Sequence, residues 1–533
     1  MDVTFSRVCD DFSWSSSTLV HATGASQEVA VDMYAHDDKN SGEGRVSGTG
    51  GSGTYRRVDP GRRDGVVREA VRAGLIGADH LVAGFFDADG VRESVRYLRE
   101  AFGDAPVLHT FAAKAASLVP VLRLLARSGM GCEVASPGEL AQALAAGFSP
   151  ERIVLDSPAK TQAELAHALS LGVAVNADNF AELDRIGTLL SAGDSSSVCG
   201  LRINPQVGAG SIDAMSTASR SSKFGVPLQD TGARRRILGA FAGRSWLTRV
   251  HVHVGSQGCS LELIGEGVRA AYELAEEINT AAGRQQVTSL DIGGGLPVNF
   301  DDDEIRPSYA DYVEQLRTSV PGLFDGRYSL VTEFGRSLVA KNGFIAAVVE
   351  YTKDTGGRRI ALTHAGAHVA TRTVFMPQAW PLRVGVYDAE GRPKRGAPRV
   401  QDVAGPCCFA GDLVARGVEL PELESGDVLV LHDTGGYYFS TPWSYNSLAR
   451  PGVHGFTTQG PAIRFATVRP EQSLEEILAE SGADQADALL SLGRPDRTTP
   501  AAGPPVSLTA PPSPPGTTIN DRDDHEVRSA PCR

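Results

Sequence analysis

Between residues 106 and 334 short apolar runs alternate with longer stretches of helical period. The runs "PVLHTFAA", "GCEVA", "RIVLD", "GVAVN", "CGLRIN", "TRVHVHV", "SLDIG" and "SLVTEF" are β-rich and too short for helices, so they predict strands. Apolar positions recur every three to four residues in "SPGELAQALAAG", "TQAELAHALSLG" and "SLELIGEGVRAAYELAEEIN", which predict helices between them. Alternation of this extent predicts an α/β fold, a (β/α)8 barrel, with a doubly wound open sheet as the alternative. After residue 343 the helical period fades. "GFIAAVVEYTK", "RRIALTH" and "DVLVLHDTGGYYF" predict the strands of a C-terminal β-barrel or sandwich domain.

These shifts set the expected boundaries. Residues 1–60, rich in Ser, Gly and Asp, predict a disordered N-terminal segment, and 61–86 a lead-in strand joining the β domain. The barrel is expected over 87–343 and the β domain over 344–475. Residues 476–533 predict a helix fragment followed by a Pro-rich disordered tail, whose "PPSPP" has the composition of a plain tail or of a ligand for a Pro-binding module.

Composition narrows the partners more than the fold. A net charge of −13 argues against nucleic acid and anionic membranes, because a polyanion needs a basic face. The clusters Arg56–Arg57, Arg62–Arg63 and Arg234–Arg236 read as solvated surface. Seven cysteines without a CxxC pair make neither a disulfide framework nor a zinc knuckle. The N-terminus lacks the pattern of a signal peptide, and no run is long enough to span a membrane. The expected location is cytoplasmic.

Barrel chemistry sits where strands end and βα loops begin. The predicted strand ends carry Lys114, Asp156, Asn176, Asn204, His253, Gly293–Gly295 and Glu333. Lys114 is the single charge in "HTFAAKAASLVPVL". A lysine there is either a snorkelling side chain or a Schiff-base nucleophile, since burial favours the free amine. "HVHVGSQ" places His251 and His253 two apart on one strand face, with Ser256 in the following loop; a metal would need a third ligand that the pattern does not offer. The glycine run of "LDIGGGLP", Gly293, Gly294 and Gly295, either makes a tight turn or lets backbone N–H groups approach a phosphate. Glu333 and Arg336 in "TEFGRS" form a surface ion pair or grip opposite ends of a ligand.

Six segments together resemble the fold-type III pyridoxal-phosphate decarboxylases, the diaminopimelate and ornithine decarboxylase family. Its members join an alanine-racemase-like barrel to a β domain. "FAAKA" is similar to the cofactor-lysine motif, "HVGSQ" to the ring-stacking histidine and phosphate serine, and "DIGGG" to the phosphate loop. "EFGR" is similar to Glu-Pro-Gly-Arg with Phe334 for proline, "GPCCFAGD" to Gly-Pro-x-Cys, and "DTGGY" to Asp-x-Gly-x-Tyr. All six occur in order across roughly residues 80–470.

The resemblance implies pyridoxal 5'-phosphate as cofactor, an amino acid as substrate and loss of its α-carboxylate as carbon dioxide. Lys114 would carry the Schiff base and His253 would stack on the ring. Ser256, Gly293, Gly294, Gly295, Arg336 and Tyr437 would hold the phosphate, and Glu333 would pair with the ring nitrogen. Cys408 would reprotonate the product carbanion from the partner subunit, which implies a homodimer with shared active sites.

The departures fall at the substrate's far end. Where diaminopimelate decarboxylases carry Arg-Pro-x-x-Tyr, this chain has "MPQAW", giving Met376 and Trp380; where they carry Cys-Glu-Ser it has Cys408, Phe409 and Ala410. With Arg336, Asp412 and Tyr437 these complete the expected substrate contacts. Met, Trp and Phe in place of two charges and a phenol imply a less polar far pocket, which His364, His368 or Arg372 could offset. Competing readings are a racemase on this scaffold, a non-catalytic decarboxylase-like binding protein, and a zinc hydrolase using His251 and His253.

Overall fold

The computed structural model describes residues 55–460 and 462–492. Most of both segments expected to be disordered, 1–54 and 493–533, therefore lies outside the described residues, as does "PPSPP".

The first strand, β1 (Val82–Asp87), belongs to the β domain. The barrel follows with β2 (Val107–Ala112), β3 (Gly131–Val134), β4 (Ile153–Leu155), β5 (Ala174–Ala177) and β6 (Cys199–Asn204). After a two-residue β7 (Val226–Pro227) on its rim come β8 (Leu247–Val252), β9 (Ser289–Asp291) and β10 (Ser329–Phe334). All pairings are parallel, in the order β5-β4-β3-β2-β10-β9-β8-β6, and β5 pairs with β6 to close the ring. Closure excludes the open sheet, and each of the eight predicted runs forms one barrel strand.

Local chemistry explains why the pieces fold this way. Strands such as β3 and β4 are buried along their whole length, as parallel strands covered on both faces must be. The helix Pro137–Ala146 starts with Ser136 accepting from the Glu139 N–H and ends on left-handed Gly147. A full capping box, Thr161 with Glu164, opens the helix Gln162–Leu171.

The lead-in differs from expectation. Residues 61–86 are not one strand: Pro60–Arg72 is a helix, α1, with Pro60 in its first turn and Asp59 accepting from the Gly61 N–H. Its Val66, Val67 and Ala70 pack on Phe85 of β1 and on Phe344 and Phe456 of the β domain. Fully burying each valine contributes about 1.5–3 kcal/mol. Arg62 and Arg63 are not free surface either. Arg62 pairs with Asp87, and Arg63 reaches Asp303 at 3.0 Å.

Beyond the barrel run β11 (Gly343–Thr355), β12 (Arg358–Thr363), β13 (Val384–Tyr387), β14 (Pro398–Ala404), β15 (Leu413–Pro421), β16 (Val428–Leu431), β17 (Gly452–Gln459) and β18 (Ala462–Arg469). They form a sheet in the order β15-β14-β12-β11-β1-β17-β18, with β16 bridging β11 and β13. A short helix, Leu474–Glu480, follows. Among the described residues no helix is long and apolar enough to cross a membrane.

Candidate active site

Lys114 sits in a one-turn helix, Ala113–Ala115, directly after β2. Its Nζ donates to both carboxylate oxygens of Glu133, at 3.0 and 2.9 Å, and Glu133 is itself buried at the end of β3. The lysine side chain remains 49% exposed, so it lines an open barrel mouth. Burial would lower its pKa, but Glu133, Tyr437 and Glu333 together raise it above the usual lysine value. The β domain fastens this turn from above: the Tyr437 N–H and the Ser440 hydroxyl both donate to the Ala115 carbonyl, at 2.8 and 3.1 Å.

The glycine loop after β9 lies against the ends of β8 and β10. Gly293 takes φ 64° and Gly295 φ 102°. A Cβ at Gly294 would run into the Glu333 carbonyl, and one at Gly295 into that of Gly255. The Gly294 N–H donates to His253 Nδ1 at 3.2 Å, which leaves the imidazole proton on Nε2. Ser256 is half-buried in the loop beyond, its N–H bonded to the Met215 carbonyl at 3.1 Å.

Beneath the mouth the barrel holds an unusually polar layer. Burial first, then Asp156 and Glu133, push the Glu333 carboxyl well above the usual range. Burial and then Glu333 push Asp291 up to about 7, although Asn176 donates to it at 3.0 Å. Asp156 is the opposite case: His251, Arg202 and Lys160 overcome its burial and hold it well below the usual range. Arg202 Nη1 meets its Oδ2 at 3.0 Å. His251 lies between Asp156 and Glu333, and the three groups gather within 4.8 Å. The two histidines of "HVHVGSQ" thus serve different neighbours. Asn204 is occupied locally, donating to the Ser219 carbonyl and accepting from the Gln206 N–H.

Arg336 opens the short helix Arg336–Val339 after β10 and is buried. Its Nε and Nη1 have no hydrogen-bond partner, and burial pulls its pKa down to about 10. The guanidinium lies 4.5 Å from the centres of both the Trp380 and Tyr437 rings. Arg372, on the helix Ala367–Phe375, approaches the same rings at 5.1 and 4.5 Å, and its Nη1 is likewise unpartnered. Tyr437 itself has φ 67°, a left-handed conformation that a tyrosine keeps only where its surroundings impose it.

These groups fit pyridoxal phosphate. An amine for the aldehyde, a glycine loop without room for a Cβ, a free buried oxygen on Glu333 and orphaned guanidinium donors on Arg336 surround one mouth.

The other expected residues have surroundings of their own. Cys408 is exposed on the β domain, its N–H held by Asn446 at 2.8 Å. Phe409 stacks on Phe375 at 5.6 Å, beside Trp443 and Tyr445. Met376 is 43% exposed at the end of the Arg372 helix. Asp412, expected to face substrate, instead has one oxygen on the Ala367 N–H and the other on the Cys407 N–H, at 2.6 and 2.7 Å. It fastens the "GPCC" loop to a helix start. Sequence reasoning missed Glu133, Arg202 and Asp291. Their signal is a charge on the inner face of a strand otherwise apolar.

Comparison with known proteins gives matches over most of the described chain. A family model, the pyridoxal-binding domain of pyridoxal-dependent decarboxylases, matches residues 88–340. A diaminopimelate decarboxylase of Pseudomonas fluorescens is 33% identical over 365 residues, 68% of this chain and 84% of its own. One of Helicobacter pylori (strain J99) is 31% identical over 396 residues, 74% of this chain and 93% of its own. The crystal structure of the Helicobacter pylori diaminopimelate decarboxylase complexed with L-lysine superposes with TM-score 0.66 at 28% identity, covering 76% of this chain and 97% of that one.

Proposed function

The chain belongs to the pyridoxal-dependent decarboxylase family, and from that premise we propose a decarboxylase for an amino acid with an apolar stem and an anionic far end. Arg372, half-buried with an unpartnered Nη1 and set beside the buried Arg336 on the same two rings, carries that reading. With the Arg336 donors given to the cofactor's phosphate, the unpaired Nη1 of Arg372 calls for a second anion. Trp380 beneath them supplies an apolar wall. The far pocket is in this reading altered and not simply less polar, since a cation one helical turn before Met376 stands in for the missing arginine.

When bound, pyridoxal phosphate supplies the electron sink for the carbanion left as carbon dioxide departs. Glu133 holds the Lys114 ammonium and is placed to take its proton, freeing the amine as nucleophile. His253 lies at the mouth with one nitrogen fixed by Gly294, so its ring is oriented before a ligand arrives. Gly293, Gly294, Gly295, Ser256, Arg336 and Tyr437 would hold the phosphate, and Glu333, whose Oε1 has no hydrogen-bond partner, would pair with the ring nitrogen.

Cys408 delivers the proton to the product from a second copy of the chain. The exposed patch of Phe375 and Met376, continued by the half-buried Phe409, Trp443 and Tyr445, supports that dimer. A less polar substrate is the second reading, favoured by Phe409, which would enter the partner's site beside Cys408. Carbon dioxide release with added cofactor decides between them. We expect turnover of meso-diaminopimelate above lysine, ornithine, arginine and apolar amino acids. Release only from apolar amino acids would overturn the anionic far end, and no release from any of them, with no uptake of cofactor, would overturn the decarboxylase.

A further inference from the structure

His251 is fully buried on β8, and no step above uses it. Its Nδ1 lies 3.5 Å from Asp156 Oδ1, and its Nε2 lies 3.6 Å from Glu333 Oε2. Both distances are just beyond a hydrogen bond, and neither ring nitrogen has another partner. Asp156 Oδ1 and Glu333 Oε1 are unpartnered too. Three residues, Asp156 directly after β4, His251 on β8 and Glu333 on β10, therefore stand in a row: carboxylate, imidazole, carboxyl.

The row has a direction. Arg202 occupies the other oxygen of Asp156 at 3.0 Å, so the outer end of the row is an ion pair and Asp156 is ionised. An ionised Asp156 draws the imidazole N–H to Nδ1. Nε2 is then an acceptor, and what it faces is a carboxyl that burial and its acidic neighbours favour in the protonated form. Glu333 faces Nε2 through Oε2, at a separation that a small turn of the carboxyl would close, and its Oε1 is unpartnered.

We propose that His251 is a positioning residue for Glu333: it orients the carboxyl for the cofactor's ring nitrogen, and it takes the Glu333 proton when that nitrogen is cationic. The inference rests on the pyridoxal-phosphate reading above. The step moves one proton from Glu333 Oε2 to His251 Nε2; no other bond changes, and the resulting imidazolium lies between two carboxylates. The other charged groups facing His251 are Asp291, Glu133 and Arg202, with His253 and Lys114 nearer the mouth. Burial, with Arg202, keeps the His251 pKa below the usual imidazole value; Asp156, Asp291 and Glu133 act against that and are the acids an imidazolium there would face.

The test uses the full chain loaded with pyridoxal phosphate, comparing the parent with His251→Gln and His251→Phe. Thermal melting serves as the check on folding. We expect His251→Phe to weaken cofactor retention by about tenfold or more, as loss of an outer partner of a bound group does. The pH midpoint of the bound cofactor's absorbance should shift by about one unit in both variants, since neither side chain can take a proton. His251→Gln, whose amide still reaches Glu333, should recover retention but not the midpoint. Folded variants with parental retention and parental midpoint would overturn the role. Should the phenylalanine variant fail to fold, an unchanged midpoint in His251→Gln alone overturns it. A parent that takes up no cofactor sinks the proposed function as well, so the two failures are distinguishable.

Discussion

Lys114 and Glu133 show what single residues reveal and conceal. The lysine stands out in sequence because it is the one charge in an apolar stretch at a strand end. Glu133 is just as decisive but sits inside a four-residue strand that is otherwise apolar, and its partner is 19 residues away. The pairing exists only because β2 and β3 are neighbours in the closed ring, with Ala112 opposite Glu133. His251, Arg202 and Asp291 were hard to assign for the same reason: their partners come from across the barrel. Glycines are more legible, because a run of three after a strand marks either a tight turn or a close approach of backbone. Gly294→Ala tests that closeness. Its Cβ would collide with the Glu333 backbone, so we expect a loss of roughly 1–3 kcal/mol in unfolding free energy, and cofactor retention that falls with it. Urea unfolding alongside absorbance of the bound cofactor measures both. Parental values for each would show that the loop has room to yield.

At the scale of elements, strand ends were readable and helix faces were not. The helix Ala367–Phe375 has a non-helical residue, Ala370, so its two halves present different faces. Counting by period does not place Arg372 beside Trp380 across such a kink; the structure does. Neither does motif comparison, because the family's arginine falls at Met376, which is exposed. Arg372→Met removes the second cation and leaves Arg336 in place. We expect kcat/KM for a substrate with an anionic tip to fall by about 10–100-fold, the worth of one charged hydrogen bond. Turnover of lysine, which has no such tip, should change much less. Equal losses on both would place Arg372 at the phosphate instead. The "GPCC" loop teaches a related lesson. Asp412 looked like a ligand contact by its place in a motif, yet two backbone amides consume its oxygens.

For the whole molecule, the alternation of strand and helix was enough to read the barrel, since buried parallel strands leave continuous apolar runs. The β domain was only partly legible. The strand β18 is half exposed along its length, and β14 begins with three exposed residues, so neither shows an apolar run. One of its inner strands, β1, precedes the barrel in the chain and pairs with both β11 and β17. A chain starting at residue 88 would retain the whole barrel but expose two strand edges and the faces of Phe344 and Phe456. We expect it to aggregate on expression where the full chain does not. A soluble, cofactor-binding fragment would show that the sheet can close without β1.

The same joint should give the molecule an acid limit. Asp303, in the loop after β9, meets Arg63 of α1 at 3.0 Å and Arg383 of the β domain at 2.8 Å. Burial would raise its pKa, but the two guanidinium groups hold it down to about 2, against about 4 in an unfolded chain. A lowered acid stabilises the fold in its ionised form. That contribution is complete above about pH 4 and is lost as the pH falls toward 2. Asp303→Asn removes it at every pH. The variant should be less stable than the parent by about 2 kcal/mol at neutral pH, and the two should converge as the pH is lowered from 4 to 2. Melting temperatures across that range are the measurement. A gap that stayed constant down to pH 2 would mean that Asp303 contributes through packing, and that the three-way joint of helix, barrel and β domain does not depend on its charge.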